Sequence, residues 1–396
     1  MKVLQVISSF PPAYSYGGPL KVAQKVSQAL VERGHEVTVY TTDVYSPVAR
    51  FSPESNPTLL MDGYRVYRFK NISNRLAYRN FPLAPQMAMV LRRTIDKFDV
   101  VHLHEYRSMA ALLVWHYAKG NNVPYCLQAH GSFTNYGGQY INSLFDRMWQ
   151  RRLVDTAAMI IALTSAEANQ YYSAGVPGEK VEIIPNGIDI SDYSSPPAHG
   201  SFRNKFGLGL NDQLILYVGR IHKKKGVDLL IKAYAEVSNQ LNNTRLVIVG
   251  PSESSATLEM LKALGKRLGI EDKVLFTGLI SESDKLAAYV DADVYVLPSF
   301  YDTFPMSVLD ALACGTPVII TNRCELADAI GHAVSVVAPE VDEVRDAIIQ
   351  VLTNEGLRIG MGQRGQKLVL ESYRWDEIIK KLEQTYYSMI GNFSPA

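Results

Sequence analysis

Twice along this chain, short apolar segments alternate with helical patterns, and that alternation constrains the fold more than any other feature. Val3–Ser8 reads as a strand, Leu20–Gly34 as an amphipathic helix ending on a glycine, and Glu36–Thr41 as a second strand. Strand, helix, strand in that order requires a right-handed crossover and therefore a parallel sheet. Val100–His104, Tyr125–Ala129, Met159–Thr164 and Val181–Ile184 continue the series. A second series starts near residue 212. Its strands are Leu214–Val218, Leu246–Val249, Val274–Thr277, Val294–Pro298 and Pro317–Thr321, and its helices are Val227–Asn239, Leu258–Leu268, Ser283–Asp291 and Ser307–Ala313. Each series predicts a doubly wound α/β sheet, with ligand-binding loops at the carboxyl ends of its strands.

With 396 residues the chain exceeds what one core supports, so two domains of about 180–200 residues are expected. The Ser-, Pro- and Gly-rich stretch Asp189–Ser201 separates the two series. The expected division is a first domain over 1–190, a second over 191–374 and a last helix over 375–396. The two domains are expected to face each other across a cleft.

Composition excludes several classes. At 47% hydrophobic and 20% charged, the chain is ordinary globular protein. The apolar start is halted by Pro11 and Pro12, so a first strand is expected rather than a signal peptide. No apolar run reaches the roughly 18 residues of a membrane span. Cys126, Cys314 and Cys324 fit neither a disulfide framework nor a zinc pattern, so a reducing, cytoplasmic location is expected. The net charge of +1 is uneven: residues 1–190 hold 19 Lys+Arg against 14 Asp+Glu, a net of +5, and residues 191–396 hold 21 against 25, a net of −4. That is either scatter between two surfaces or a basic first domain that meets an anionic acceptor or membrane. No nucleic-acid partner is expected.

The chemistry must come from loops. After the strand ending at Pro298, Asp302 and Asp310 flank the start of a helix near Met306, eight residues apart. Amides at a helix start favour anions, and carboxylates accept from paired sugar hydroxyls. Alternatively, Asp302 is a helix N-cap and Asp310 a solvated helix residue. Gly219-Arg-Ile-His-Lys-Lys-Lys-Gly226 follows another strand, and a flexible, Gly-flanked basic loop suits a diphosphate, or is plain surface. Ser8–Leu20, with Gly17 and Gly18, lacks the G-x-G-x-x-G fingerprint of dinucleotide dehydrogenases. Gln128-Ala-His130-Gly131 ends a strand, and Ile184-Pro-Asn186-Gly-Ile-Asp189 reads as an Asn-Gly turn.

Taken together, these segments resemble the retaining GT-B glycosyltransferases of the E-x7-E family, which includes sucrose synthase and many cell-envelope enzymes. The resemblance covers nearly the whole chain. It implies a GT-B fold and sugar transfer from a nucleotide-sugar donor to a glycan or lipid-linked acceptor. It implies that Asp302 holds a hydroxyl of the transferred sugar, that Asp310 holds the ribose, and that Arg220 and Lys225 neutralise the leaving diphosphate. Thr303, Phe304, Met306 and Ser307 line the donor, the amides of the last two meeting the diphosphate. Gly18 approaches phosphate and acceptor, His130 reaches the sugar, and Asn186 belongs to the family's P-N-G-x-D element. Both carboxylates here are Asp where the family usually has Glu, which bears on the choice of sugar. No metal and no separate cofactor are expected. The rival from another class is a nucleotide-sugar-binding regulatory module without transfer; a GT-B epimerase or phosphorylase would lack the paired-carboxylate loop.

Two decoys stand beside these. Asp291-Ala-Asp293 mimics a D-x-D metal motif but enters a buried strand, and His102 and His104 lack a third ligand. Residues 64–97 carry Arg65, Arg68, Lys70, Arg75, Arg79, Arg92, Arg93 and Lys97 against one acid, Asp96, with Leu76, Phe81, Leu83, Met87, Met89 and Leu91 interleaved. With Arg147, Trp149, Arg151 and Arg152 they predict either a solvated packed helix or a peripheral contact with anionic membrane at its cytoplasmic face.

Overall fold

The computed structural model describes residues 1–46, 49–51, 58–78, 81–133 and 146–392. Within them the chain forms two compact units, one of residues 1–186 with 376–396 and one of residues 187–375.

The first unit holds strands β1 (Lys2–Val6), β2 (Glu36–Thr42), β3 (Thr58–Met61), β4 (Tyr64–Phe69), β5 (Val100–Leu103), β6 (Tyr125–Gln128), β7 (Met159–Ala162) and β8 (Val181–Ile183). Their order is β3-β4-β2-β1-β5-β6-β7-β8. All neighbours are parallel except the β3/β4 hairpin. The parallel strands are covered on both faces, which is why they read as near-continuous apolar runs: Val3, Leu4, Val6, Val100, Val101 and Leu103 are all inaccessible to solvent. Helix Pro19–Glu32 supplies the first crossover, and Gly34 after it takes a positive φ of 84°.

The last helix, Trp375–Asn392, packs within this unit. Ile379, Leu382, Tyr386 and Met389 are buried on its inner face. Lys381 Nζ donates to the Ile183 carbonyl and Thr385 Oγ1 to Glu182, both at 2.7 Å. Glu383 accepts from His35 at 2.6 Å and also binds Arg33.

The second unit is an all-parallel sheet of β9 (Gln213–Val218), β10 (Thr244–Val249), β11 (Val274–Gly278), β12 (Val294–Leu297), β13 (Val318–Thr321) and β14 (Ser335–Val337), ordered β11-β10-β9-β12-β13-β14. The order reverses at β1 in the first unit, with β2 on one side and β5 on the other, and at β9 in the second, between β10 and β12. At such a switch point successive connections leave towards opposite faces, and a crevice opens beyond the strand ends.

Strand β4 of the β3/β4 hairpin opens the segment that reads in sequence as a basic, apolar surface. Arg68 is buried at its end: it donates to the Pro11 carbonyl and stacks on Phe51 at 4.4 Å. Met87 and Leu91 are also buried. The exposed remainder includes Lys70, Arg75, Leu76, Met89, Arg92 and Arg93, while Arg65 faces Glu36 at 3.4 Å. Arg79 and the side chain of Arg147 lie outside the described residues. No helix among the described residues is long and apolar enough to cross a membrane.

Candidate active site

In the second unit the loops after β9 and β12 are built against each other. Gly226 has φ of 68°, and a Cβ on it would lie 2.1 Å from the Pro298 carbonyl oxygen, so only glycine fits. Beside it the Phe300 amide donates to the Lys224 carbonyl at 2.8 Å. His222 accepts from the Lys224 amide at 3.0 Å and caps a 3-10 turn over Lys223–Lys225. The basic segment is therefore a pinned turn, which corrects the expectation of a flexible loop. It aims Lys225 at Asp302, and the two form an ion pair that is only partly exposed. Arg220 is exposed at the strand end, and Lys224 lies over the Tyr301 ring at 5.7 Å.

Asp302 is fixed through its backbone. Its amide donates to Arg323 at 3.3 Å and its carbonyl accepts from Glu325 at 2.8 Å. Helix Met306–Ala313 has Pro305 at its N-cap with no capping side chain, so Asp302 is not the cap. Ser307 Oγ accepts from the Tyr295 hydroxyl at 2.8 Å. Thr303 and Phe304 turn their side chains inward, Thr303 bonding Tyr301 at 3.1 Å and Phe304 packing on Tyr373 at 6.1 Å between ring centres.

Asp310 is not a solvated helix residue. It accepts from the Tyr193 hydroxyl at 2.6 Å and pairs with Lys285 at 3.3 Å. Burial and the neighbouring Asp310 carboxylate push the Tyr193 hydroxyl up. Burial works to lower the Lys285 ammonium, but Asp310 and Glu282 outweigh it and leave it raised.

In the first unit the loops after β1, β5 and β6 carry the polar groups. Gly18 is the N-cap of helix Pro19–Glu32 with an ordinary φ of −79° and open space where a Cβ would go; its neighbour Gly17, at φ of 110°, is the one whose backbone demands glycine. Ser8, at the start of this loop, is tied to Glu105, whose carboxylate accepts from the Ser8 amide at 2.9 Å and from its hydroxyl. Burial raises the Glu105 carboxyl against the pull of those bonds.

His130 takes a left-handed φ of 50°, followed by Gly131 at 77°. Glu167 holds this turn open, accepting from the Gly131 amide at 2.8 Å and from Leu163 at 2.7 Å. The His130 ring continues a row: His102 stacks on His104 with centres 3.9 Å apart, and His104 stands nearly parallel to His130 at 5.4 Å. His102 bonds the Tyr386 hydroxyl at 2.6 Å and Gln128 at 3.0 Å; His104 bonds His130 at 3.1 Å and also Gln5. The nitrogens of His102 and His104 thus all have protein partners. Burial lowers all three rings, His102 and His130 to about 3, so each is neutral at physiological pH.

Asn186 is buried at the end of the first unit. Both carboxylates of the D-x-D decoy are structural. Asp291 accepts from the amides of Gly200 at 2.5 Å and Arg203 at 3.0 Å, and Asp293 from Leu214 at 2.8 Å and Arg203 at 3.2 Å.

Sequence reading brought out Arg220, Lys225, Asp302, Asp310 and His130. It missed Tyr193, Lys285, Glu105, Glu167 and Gln5. Tyr193 sits in the stretch read as a linker, and Lys285 in an ordinary amphipathic helix. Glu105 had a usable signal, because it is an acid two residues past the end of an apolar strand, where sites gather; Glu167, in the first turn of the next helix, had none.

Comparison with known proteins agrees with this layout. The glycosyltransferase family 4 model matches residues 16–192, and the glycosyl transferases group 1 model matches residues 200–368. An uncharacterised glycosyltransferase of Methanocaldococcus jannaschii is 28% identical over 98% of each chain. A GDP-mannose-dependent α-(1-6)-phosphatidylinositol monomannoside mannosyltransferase of Mycobacterium tuberculosis is 26% identical, over 96% of this chain and 97% of its own. HepE of Anabaena, solved with UDP and glucose, superposes with a TM-score of 0.78 at 20% identity, covering 98% of this chain and 100% of its own. With one family match on each parallel sheet, this chain belongs to the glycosyltransferases of the GT-B fold.

Proposed function

We propose that this enzyme moves a hexose-type sugar from a nucleotide-sugar to a glycan or lipid-linked acceptor, with retention of anomeric configuration and without a metal ion or other cofactor. The observation that carries the reading is the Lys225–Asp302 ion pair at the reversal of strand order, beside a helix start with no capping side chain. A diphosphate entering there meets fixed cations, and a sugar hydroxyl meets a carboxylate already oriented. The donors named for two similar proteins, GDP-mannose for the mycobacterial relative and UDP with glucose for HepE, support the donor class.

The chemistry follows from charge. As the bond from the sugar C1 to the phosphate oxygen breaks, negative charge grows on the diphosphate. Arg220, Lys225 and the amides of Met306 and Ser307 stabilise it without reorganising. The acceptor oxygen bonds C1 on the same face, and its proton passes to the departing phosphate. Asp302 already pairs with Lys225, and Asp310 with Tyr193 and Lys285, so neither stands ready as the nucleophile that double displacement needs. In this reading Asp310 exchanges its protein partners for the ribose, His130 meets the sugar, and the turn containing Gly18 lies near phosphate and acceptor.

The test is a thermal-shift panel of UDP-glucose, GDP-mannose and ADP-glucose, followed by an assay of slow donor hydrolysis and of product anomer by NMR. One donor should stabilise the protein and be hydrolysed, and transfer should conserve the anomer. Binding without hydrolysis or transfer would point to the regulatory module, and an inverted product would end the retaining assignment.

The acceptor reading rests on the first unit. Met89 is 60% exposed and Leu76 39%, among exposed Arg75, Arg92 and Arg93. Apolar and basic groups together suit an anionic membrane surface at the cytoplasmic face, each charge near it contributing about 1 kcal/mol. Co-sedimentation with anionic liposomes that weakens at high salt is expected; equal, negligible binding to anionic and neutral liposomes leaves a soluble acceptor.

A further inference from the structure

The row of rings, His102 and His104 buried and His130 half-buried at its end, has a direction. A neutral imidazole carries one N–H and one lone pair, so each bond made by one nitrogen fixes the role of the other. Gln5 Oε1 can only accept, so His104 donates to it from Nε2. That leaves His104 Nδ1 as a lone pair, facing His130 Nε2 at 3.1 Å. His130 must then carry its proton on Nε2. A parallel argument runs along the neighbouring ring: Gln128 Oε1 accepts from His102 Nε2 at 3.0 Å, so His102 Nδ1 accepts from the Tyr386 hydroxyl at 2.6 Å. His102 stacks flat against His104 and keeps that ring in plane with its partners. Gln5 is fully buried on β1, and His104 is 1% exposed just after β5, so the chain begins in the sheet and ends at the turn beyond β6.

We infer that Gln5 and His104 are positioning residues that lock His130 in its Nε2–H tautomer, so that the atom His130 offers to a ligand is the Nδ1 lone pair, an acceptor for a hydroxyl. This deepens the reading of His130 under the proposed function and rests on it. Burial of the row keeps His130 from gaining a second proton, so it contributes direction rather than charge. A donor-type group on the sugar is thereby favoured over an acceptor-type group, and a deoxy or fluoro analogue at the contacted carbon should be handled poorly.

The lock is read directly by long-range ¹H–¹⁵N correlation on ¹⁵N-histidine-labelled whole protein without ligand, with His130→Ala assigning the signal. The expected result is a protonated Nε2 and a bare Nδ1. Protonation on Nδ1, or a mixture of tautomers, overturns the lock, since the row would then run in reverse. The role is read from kinetics with UDP-glucose or GDP-mannose, whichever the wild type turns over. Gln5→Leu and His104→Leu should each lower kcat/KM about tenfold, the scale of one neutral hydrogen bond. His104→Asn, whose amide oxygen can stand in for the Nδ1 lone pair, should keep kcat/KM within about threefold of wild type on the same reasoning. Equal kcat/KM in all three variants overturns the role. A wild type inert towards every nucleotide-sugar sinks the functional reading instead, and the tautomer, read without ligand, still decides the lock.

Discussion

The two sheets reverse their strand order in the same way, yet the loops at the two reversals differ in electrostatics. Beyond β9 and β12 the second unit gathers full charges: Lys225 on Asp302, Lys285 on Asp310, and exposed Arg220. Beyond β5 and β6 the first unit sets its imidazoles, which burial keeps uncharged, among groups already bonded within the unit: the Glu105 carboxylate on Ser8, Glu167 on Gly131, and Arg107 paired with Asp146. One architecture thus presents two electrostatic environments at its strand ends. Where charge develops during reaction, fixed cations stabilise it most. Where orientation of a neutral hydroxyl matters, a buried hydrogen-bond chain gives direction without a desolvated charge.

The largest expected effect lies on the charged side. Arg220→Ala and Lys225→Ala should each lower turnover by roughly 10²–10³, as loss of one preorganised transition-state donor does. Arg220 is exposed at the strand end, so its melt should be nearly unchanged, whereas Lys225 sits half-buried in its turn and its loss leaves Asp302 unpaired, so a small drop in melting is expected there. A variant that keeps half of wild-type turnover would remove its residue from the diphosphate.

Next comes the turn that aims Lys225. In Gly226→Ala the new methyl group meets the Pro298 carbonyl and the backbone is held at positive φ. A loss of about 1–3 kcal/mol in denaturant unfolding is expected, with turnover falling alongside. An unchanged melt would mean the two loops can separate freely.

The neutral side is tested by acid. The folded rings of His102 and His130 titrate near 3, below the ordinary value of about 6.5. The unfolded chain therefore binds more protons between those limits, and stability should fall as pH drops from about 6.5 towards 3. His102→Phe should flatten part of that slope in melts recorded against pH. A slope identical to wild type would assign the acid sensitivity to other groups.

The smallest effect expected is at Asp310, the carboxylate proposed to hold the ribose. Tyr193→Phe removes one partner from Asp310, a bond on the scale of about 1 kcal/mol. Because a bound ribose would displace that bond, donor KM should fall or stay level rather than rise. A tenfold rise in KM would make Tyr193 a donor contact in its own right.

How much of this was legible in sequence depended on range. Most of the parallel strands announced themselves as continuous apolar runs, the mark of burial on both faces, and their predicted ends fell within about two residues of those observed, inside the usual scatter of boundaries; β14, three residues long and half-buried, was missed. Hairpin β3/β4 was hidden because its period-two alternation, Tyr64, Val66 and Arg68 inward, put an arginine in a buried position. Lys225 and Asp302 could be picked out individually, but their pairing depends on the clearance at Gly226, a contact with Pro298 that no spacing encodes. Likewise His102 and His104 read as a ligand pair with a missing third member; the third ring, His130, is 26 residues away and is joined by hydrogen bonding rather than by metal.

The central claim is that fixed protein cations do the work at the diphosphate. It is tested most directly by nucleoside diphosphate release from the accepted nucleotide-sugar, by wild type and Lys225→Ala, in excess EDTA. The account predicts full wild-type turnover in EDTA and a drop of roughly 10²–10³ in the variant. Complete loss of wild-type turnover in EDTA, restored by manganese or magnesium, would contradict it.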